Sequence, residues 1–352
     1  MSVYVGILGG GNISETHARA AIEIDGAKIA AVCGPNADKL ASLAKLTGAT
    51  AYHDFETFLS HKPMDVVLIG SPSGLHAEHG IAAAHRGLHV LVEKPIDITT
   101  QRADALIETC ESTRVKLGVF FQDRAAPDIA TLKEVIDSGK LGKPILISAS
   151  LRWYRRPEYY KASRWRGIWA LDGGGALMNQ GIHTVDLLLW LFGGVTSVWG
   201  KAITALHEIE VEDTVVASFE FANGAIGNLE ATTCAYPGSS RRIEMTWSQG
   251  TIAIENDRIS SVGLLAPVEG LSVEQTTRED NRAVSPIVSG TRGHRAIIED
   301  FLQAISSGRA PLCDGYQGRR SVQLVQAIYE SSRSGRPVQC PAASRMETCS
   351  PG

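Results

Sequence analysis

Short apolar runs alternate with amphipathic segments over the first third of the chain. Runs of β-branched and aliphatic residues predict five strands, at Val3–Leu8, Lys28–Cys33, Val66–Gly70, His89–Val92 and Lys116–Phe121. Between them, apolar residues recur every three or four positions, which predicts helices such as Ala37–Leu46 and Arg102–Cys110. This alternation is typical of a parallel sheet covered by helices on both faces. Residues 1–122 are therefore predicted to form a doubly wound α/β domain.

Beyond residue 122 the pattern changes to apolar and polar residues in strict alternation. It predicts an antiparallel meander of four strands, at Thr214–Phe221, Ala225–Thr233, Ile243–Ser248 and Thr251–Glu255. Asn223 and Gly224 separate the first two, which predicts a hairpin with a type I′ turn. Helices are predicted at Ile129–Ser138, Arg295–Ser306 and Ser321–Ser332, with a long loop at residues 266–292. We expect residues 123–340 to form an α+β domain with an open, largely antiparallel sheet, followed by a flexible tail at residues 341–352.

Composition narrows the range of partners. The chain has 352 residues, 44% of them hydrophobic, which favours two globular domains with substantial cores. Its 34 Lys and Arg residues are balanced by 38 Asp and Glu residues, so no electrostatic feature favours nucleic acid. The apolar runs are too short for a membrane span, and the six cysteines form no pair or zinc-like cluster. We expect a cytoplasmic protein with no metal, no membrane partner and no nucleic-acid partner.

A glycine-rich turn follows the first predicted strand. Gly9, Gly10 and Gly11 precede Asn12 and Ile13, where the first helix would begin. Absent side chains let backbone N–H groups approach a pyrophosphate at a helix N-terminus, although tight turns also use glycine for steric reasons alone. The position after the first strand favours the phosphate site, so Gly9, Gly11, Asn12 and Ile13 are predicted to bind a dinucleotide. Ser14 replaces the third glycine of the usual motif.

The end of the second strand bears on the choice of cofactor. Turns that prefer NAD carry an acidic residue there, which binds the ribose hydroxyls. This chain has Gly34 and Asn36 instead, and no carboxylate is present to repel a 2′-phosphate. Asn36 and Lys39 are candidates to contact such a phosphate. The cofactor is expected to be NAD or NADP, with dual or NADP-leaning use, and with Gly34 and Asn36 against it.

Three further segments change the interpretation. The first is Ser71-Pro72-Ser73 with His76, the second is Glu93-Lys94-Pro95, and the third leads from Gly173-Gly174-Gly175 to Asn179 and His183. Together they resemble the Gfo/Idh/MocA oxidoreductase family over nearly the whole chain. The resemblance implies a Rossmann domain, a C-terminal domain whose open sheet often forms the oligomer interface, and a sugar, inositol or related substrate. It also implies cofactor contacts from Ser71, Pro72, His76, Glu93 and Lys94, and a homodimer or homotetramer.

Lys94 is the first candidate catalytic residue. It follows a parallel strand at the carboxyl edge of the sheet, where open α/β sheets bind ligands. An ammonium group there can stabilise alkoxide character on the reacting oxygen. An isolated lysine at this position would more often be a solvated partner of Glu93, but the resemblance implies a catalytic role.

Asn179 and His183 are the other two candidates. Four residues separate them, so in a helix over residues 176–192 they would project from one face. Histidine titrates near neutrality and suits the removal of a hydroxyl proton. Relatives commonly carry Asp where this chain has Asn179, which cannot accept a proton, so Asn179 is assigned to positioning. Asp186 would either orient the imidazole or lie on the helix surface.

The segment upstream of the glycine triplet is rich in Arg, Tyr and Trp. Trp165 and Arg166 are predicted to contact substrate together with Lys94, Asn179 and His183, because aromatic faces stack on sugars and guanidinium groups match phosphate and carboxylate oxygens. A subunit contact is the alternative for this segment. Its pattern also resembles the branch of the family that oxidises C3 of UDP-N-acetylhexosamines or their uronates.

The predicted activity is transfer of a hydride between a nicotinamide and a carbinol or ketone carbon of a sugar-like substrate. In this hypothesis Lys94 and His183 converge on one oxygen. Two alternatives remain at this point: an NAD-dependent glycosidase that oxidises C3 transiently and eliminates the aglycone, and a regulator that senses NAD(P) without catalysis.

Overall fold

The computed structural model describes residues 2–273 and 290–340. These residues form two compact units. The first contains the described residues of Met1–Ala125, Ser163–Gly174 and Ser285–Val322, and the second those of Ala126–Ala162, Gly175–Val284 and Gln323–Gly352. The domain division that the sequence predicts near residue 122 stays a prediction. Most of the predicted loop and the predicted tail lie outside the described residues.

The secondary-structure elements are numbered here in chain order. The strands in the described ranges are β1 Val3–Leu8, β2 Ala27–Cys33, β3 Thr50–Tyr52, β4 Val66–Ile69, β5 His89–Glu93, β6 Leu117–Phe120, β7 Pro144–Arg152, β8 Val195–Ile203, β9 Thr214–Phe221, β10 Ile226–Thr232, β11 Arg242–Trp247, β12 Gly250–Glu255, β13 Arg258–Leu264 and β14 Val338–Gln339. The α-helices are α1 Asn12–Ile22, α2 Ala37–Thr47, α3 Phe55–Leu59, α4 His76–His85, α5 Thr100–Ser112, α6 Pro127–Asp137, α7 Pro157–Lys161, α8 Trp169–Asp172, α9 Ile182–Phe192, α10 Arg292–Ser307 and α11 Gly315–Ser334.

The first unit contains a six-stranded parallel sheet in the order β3-β2-β1-β4-β5-β6. All four residues of β4 and of β6 are buried, which explains their uninterrupted apolar sequences. The doubly wound α/β fold is confirmed. The strand order reverses between β1 and β4, and in such sheets the crevice at that point binds the ligand.

Helix α11 begins six residues before the predicted start at Ser321. Its first turn contains Gly315 and Gly318, which are poor helix formers in a sequence-based argument. A Cβ at Gly315 would lie 2.6 Å from a methyl group of Leu117, and one at Gly318 would lie 2.7 Å from a methyl group of Val119. The helix therefore begins early because its glycines allow it to pack directly on β6.

The second unit contains an eight-stranded mixed sheet in the order β13-β12-β11-β7-β10-β9-β8-β14. Its open, largely antiparallel character is confirmed. The predicted simple meander is wrong at one place, because β7 lies between β10 and β11 and runs parallel to β10. A strand from much earlier in the chain cannot be recognised as an insertion from local alternation.

The hairpin between β9 and β10 forms where the sequence predicts it, but with another turn. Gly224 has φ +83°, whereas Asn223 is not among the described residues with positive φ, so the turn is not type I′. Asn223 instead accepts a hydrogen bond from the amide of Ala225 and donates one to the carbonyl of Phe192. The side chain thus ties the hairpin to the end of α9.

No helix within residues 2–273 and 290–340 combines the length and apolar composition needed to cross a bilayer.

Candidate active site

The glycine turn lies at the carboxyl end of β1, next to the point where the strand order reverses. Gly9 has φ +132°, and a Cβ there would lie 2.6 Å from the carbonyl oxygen of Gly70. A Cβ on Gly34 would lie 3.1 Å from Gly10 Cα and from Gly9 O. Packing within the unit therefore requires glycine at both positions, because main chain packs directly against main chain here.

Gly11 is different, because a Cβ at this position would meet no described atom within 4 Å. It is exposed and forms the N-cap of α1, followed by exposed Asn12 and half-buried Ile13. Nothing inside the unit requires glycine here, but a phosphate that approaches the backbone would. The space above Gly11 therefore fits a dinucleotide pyrophosphate.

Ser14 occupies the position of the missing third glycine. Its hydroxyl is buried, has no hydrogen-bond partner within the described residues, and would lie 2.6 Å from a Cβ on Gly9. A small residue is therefore required where α1 packs on β1.

One of the two residues predicted to contact the cofactor at the end of β2 takes part in capping helix α2. Asn36 is its N-cap, and Asn36 Oδ1 accepts a hydrogen bond of 2.9 Å from the amide of Lys39. Both residues are exposed. Residues 33–36 include no Asp or Glu that could bind the ribose hydroxyls of NAD.

His76 links two of the loops at the carboxyl edge of the sheet. Its Nδ1 lies 2.7 Å from the carbonyl oxygen of Pro95, and its Nε2 lies 2.9 Å from that of Ser71. The ring is 1% exposed. His76 therefore joins the Ser71–Pro72 loop to the loop after β5.

Glu93 faces the interior of the first unit. Glu93 Oε1 lies 2.9 Å from Nε2 of His17 and 3.6 Å from Nε2 of His294, while Oε2 accepts a hydrogen bond from the amide of Lys94. Burial alone would raise the pKa of Glu93, but the two histidines hold it well below its usual range. The His17 ring also stacks on Phe120 at 4.3 Å. This buried network fixes the backbone from which Lys94 projects.

Lys94 is half-buried among charged groups of the same unit. Burial lowers the pKa of Lys94, the carboxylates of Glu93 and Asp172 raise it, and Arg166 lowers it. Arg166 also lies over the ring of Trp165, with its guanidinium carbon 4.9 Å from the centroid. The structure thus brings Lys94, Trp165 and Arg166 into one unit.

Asp172 holds the segment that contains Trp165 and Arg166. Its Oδ2 accepts a hydrogen bond of 2.9 Å from the amide of Gly167, and its side chain is buried. A Cβ at Gly173 would lie 2.5 Å from Ile98, and one at Gly74 would lie 2.5 Å from the carbonyl of Ala170. Sequence reasoning missed Asp172, since nothing local marks it as more than a helix-end carboxylate.

Asn179 and His183 lie in the second unit, on a helix whose start differs from the prediction. Residues Ala176–Gly181 form a π-helical turn, and α9 begins only at Ile182. The predicted start of the α-helix at residue 176 is therefore wrong, since Asn179 lies in the π turn and His183 in α9, and the projection of both side chains from one face stays a prediction. Both side chains are half-buried. Wide turns of this kind occur frequently at functional sites.

Gln180, which the sequence did not single out, organises the surroundings of Asn179. Its Nε2 donates to Asn179 Oδ1 at 2.6 Å and to the hydroxyl of Tyr159 at 2.8 Å. Its Oε1 accepts from the buried guanidinium of Arg155 at 2.8 Å. Part of the Arg- and Tyr-rich segment is thereby connected to Asn179 rather than presented as a surface.

Burial and packing distances decide two further expectations for this helix. Asp186 is 1% exposed, so the alternative of a surface carboxylate is wrong. A Cβ on Gly181 would lie 3.2 Å from Leu177 and 3.6 Å from Ala231, so this glycine allows tight packing on β10.

A parallel sheet with a glycine turn at its switch point is typical of a dinucleotide-binding domain. Residues 3–121 match the oxidoreductase family with the NAD-binding Rossmann fold, and residues 129–253 match the GFO/IDH/MocA C-terminal domain. The chain belongs to this family, and it is an NAD-binding oxidoreductase, as the sequence predicts.

Named relatives are similar over almost their whole length. Myo-inositol 2-dehydrogenase of Thermotoga maritima is 26% identical over 344 residues, 95% of this chain and 98% of that protein. D-Glucoside 3-dehydrogenase of Escherichia coli is 25% identical over 361 residues, 95% of this chain and 97% of that protein. The WlbA dehydrogenase from Bordetella pertussis, solved with NADH and UDP-GlcNAcA, has a TM-score of 0.87 and 30% identity, covering 97% of this chain and 99% of that chain.

The contrast between Gly11 and Gly9 predicts separable effects. Gly11→Ala should weaken NADH binding at least about tenfold, about 1.4 kcal/mol, because the methyl group enters the space available to a pyrophosphate. Its melting temperature should fall less than that of Gly9→Ala, because a Cβ at Gly11 meets no described atom and only the N-cap preference for glycine over alanine is lost. Gly9→Ala should lower the melting temperature, since positive φ and a 2.6 Å contact both oppose a side chain. Fluorescence titration and calorimetry measure the two effects; equal NADH affinity in Gly11→Ala would contradict the assignment.

The buried state of His17 predicts how stability depends on pH. Burial lowers the pKa of His17 against the opposing effect of Glu93, so the unfolded chain takes up a proton below pH about 6.5 that the folded chain does not. Stability should therefore fall as pH decreases through this range. His17→Gln removes the titration and should reduce the loss of melting temperature between about pH 7.5 and 5.5. Exposed His85→Gln is the control, and an unchanged slope in His17→Gln would refute the prediction.

Proposed function

We propose that the protein oxidises or reduces C3 of a UDP-N-acetylhexosamine or of its uronate. The similarity to the WlbA dehydrogenase carries this proposal, because that structure contains NADH and UDP-GlcNAcA and aligns over 97% of this chain. The name of the E. coli relative also specifies position 3 of a glucoside. The relatives named above are dehydrogenases, which favours this activity over a glycosidase or a regulator.

The roles of the site residues follow from their chemistry. Lys94, with its lowered pKa and fixed backbone, stabilises negative charge on the substrate oxygen. His183 takes the hydroxyl proton during oxidation and returns it during reduction. Asn179, held by Gln180, orients the sugar by hydrogen bonding. Bound nicotinamide supplies the acceptor for the carbon-bound hydrogen.

The cofactor would be held by the backbone at Gly9, Gly11, Asn12 and Ile13, and by Gly34 and Asn36 at the adenosine end. Ser71, Pro72 and the loop of Glu93 and Lys94 would line the remainder, with His76 and the Glu93 carboxylate supporting them. With no carboxylate at residues 33–36, the protein should use both NAD and NADP. A preference for NAD above about a hundredfold in kcat/KM would contradict dual use.

Turnover assays with single and double variants test both activity and roles. UDP-GlcNAc, UDP-GlcNAcA, free sugars and inositols are assayed with NAD and NADP at the nicotinamide absorbance. Lys94→Ala and His183→Ala should each lower kcat at least about 10²-fold, and the double variant should lose less than the product of the two. Turnover of simple sugars but of neither nucleotide sugar would refute the substrate. Fully multiplicative losses would refute action on one oxygen.

The exposed face of the second unit's sheet supports assembly into a homodimer or homotetramer. Alternate residues of its strands point away from the core, and the apolar ones among them include Leu146, Trp199, Ile203, Val216 and Ile226. Their exposed fractions run from 39% for Leu146 to 58% for Ile226. An apolar sheet face of this kind is typical of a protein interface.

Val216→Glu tests this assembly. The substituted carboxylate would be desolvated in an interface and should dissociate it, because an unpaired buried charge is costly. Light scattering should give a multiple of 37.7 kDa for the wild type and about 37.7 kDa for the variant. Ser42→Glu, at an exposed position of α2 in the first unit, measures the effect of added charge away from this face. A monomeric wild type would contradict the proposal.

A further inference from the structure

Glu212 binds the beginning of the helix that contains Asn179 and His183. It lies between β8 and β9, 37 residues from Gly175. Its Oε2 accepts from the amide of Gly175 at 2.7 Å, and its Oε1 accepts from the amide of Leu177 at 2.8 Å. Its main-chain carbonyl accepts from the amide of Ala176 at 3.0 Å. Three consecutive N–H groups therefore end on one residue.

These are the groups that a helix leaves without intrahelical partners at its N-terminus. The amides of Asn179 and Gln180 both contact the carbonyl oxygen of Gly175, at 3.1 and 3.4 Å, which starts the π turn. A Cβ on Gly175 would lie 2.0 Å from the carbonyl oxygen of Glu212. The close approach of Gly175 to Glu212 thus sets where the wide turn begins.

Burial of the Glu212 carboxylate costs free energy of folding, because the charged group loses its contact with water. Glu212 is 3% exposed, and burial raises its pKa to about 7, although the amides and the Tyr329 hydroxyl lower it. A buried carboxylate destabilises a fold unless hydrogen bonds compensate. Three donors to the carboxylate, two of them in the turn before Asn179, supply part of that compensation.

The next residue, Asp213, anchors a second backbone segment, which contacts the hydrogen-bond network around Asn179. It accepts hydrogen bonds from the amides of Ala205, Leu206 and His207, which outweigh its burial and lower its pKa to about 2. The His207 ring then contacts the carbonyl of Arg155, whose guanidinium donates to Gln180. Two adjacent carboxylates therefore fix the helix start and the network that holds Asn179.

We propose that Glu212 is a positioning residue, whose carboxylate fixes the π turn so that Asn179 and His183 have the orientation that the reaction requires. The catalytic part of this inference rests on the proposed function. Misplacement by about 1 Å can reduce a rate about 10²-fold without a change in any group that touches substrate. Glu212 thus controls the rate through the backbone amides of Gly175 and Leu177.

Hydrogen exchange tests the contact itself, without substrate or cofactor. Glu212→Gln keeps size and shape but places an NH2 group against one amide donor, so one hydrogen bond is lost. Peptides spanning residues 172–181 should exchange at least about tenfold faster in this variant, while peptides of the first unit's sheet should not change. Glu208→Gln, the same substitution at an exposed position of the same loop, should exchange like the wild type. Unchanged exchange in Glu212→Gln would overturn the proposal.

Kinetics then separate positioning from simple stabilisation. Glu212→Gln should lower kcat about 10²-fold, with KM and the Kd for NADH each within about threefold of wild type. If Glu212→Gln is too unstable to assay, Glu212→Asp keeps the charge but shortens its reach, and should show the same division between kcat and KM. Faster exchange with wild-type kcat would overturn the positioning role. If the wild type turns over no nucleotide sugar, the proposed function fails, while the exchange result still decides whether Glu212 fixes the turn.

Discussion

Close approach between backbones at the end of β1 is the constraint on which the first unit depends. Gly9, Gly34 and Gly70 pack so tightly that side chains at any of them would meet main-chain or side-chain atoms within about 3 Å. This packing places the N-terminus of α1 at the switch point of the sheet and leaves open space above Gly11. A pyrophosphate and the amides of a helix N-terminus can meet only where such space exists. Lys94 follows β5, two strands away from β1, and its proposed catalytic role depends on a dinucleotide bound at this edge of the sheet.

Buried carboxylates form a second theme in both units. Glu93, Glu212 and Asp213 are almost fully buried, and each accepts at least two hydrogen bonds from described groups. Each accepts hydrogen bonds from backbone amides: Glu93 from Lys94, Glu212 from Gly175 and Leu177, and Asp213 from Ala205, Leu206 and His207.

The sequence predicted the parts of the structure that local patterns encode. β4 and β6 were visible as apolar runs because both faces of a parallel sheet are covered, and the turn at Gly9–Gly11 was visible as three consecutive glycines directly after the first apolar run. The insertion of β7 beside β10 was not visible, since the pairing partners lie about eighty residues apart. The π turn was missed because the spacing of Asn179 and His183 is the same in either helix type.

The supporting residues were missed for a related reason. His17 contacts Glu93 across 76 residues and Glu212 contacts Gly175 across 37, so no local spacing marks either pair. Gln180 is adjacent to Asn179, but an amide on a helix has no signal of its own. The early start of α11 shows the converse, because glycines that argue against a helix locally are required by its packing on β6.

A crystal structure with NADH tests the central claim most directly. The account predicts pyrophosphate density beside the amides of Gly11, Asn12 and Ile13, with the nicotinamide at the edge formed by Lys94. Density at another surface, or a protein that takes up no dinucleotide at millimolar concentration, would contradict it.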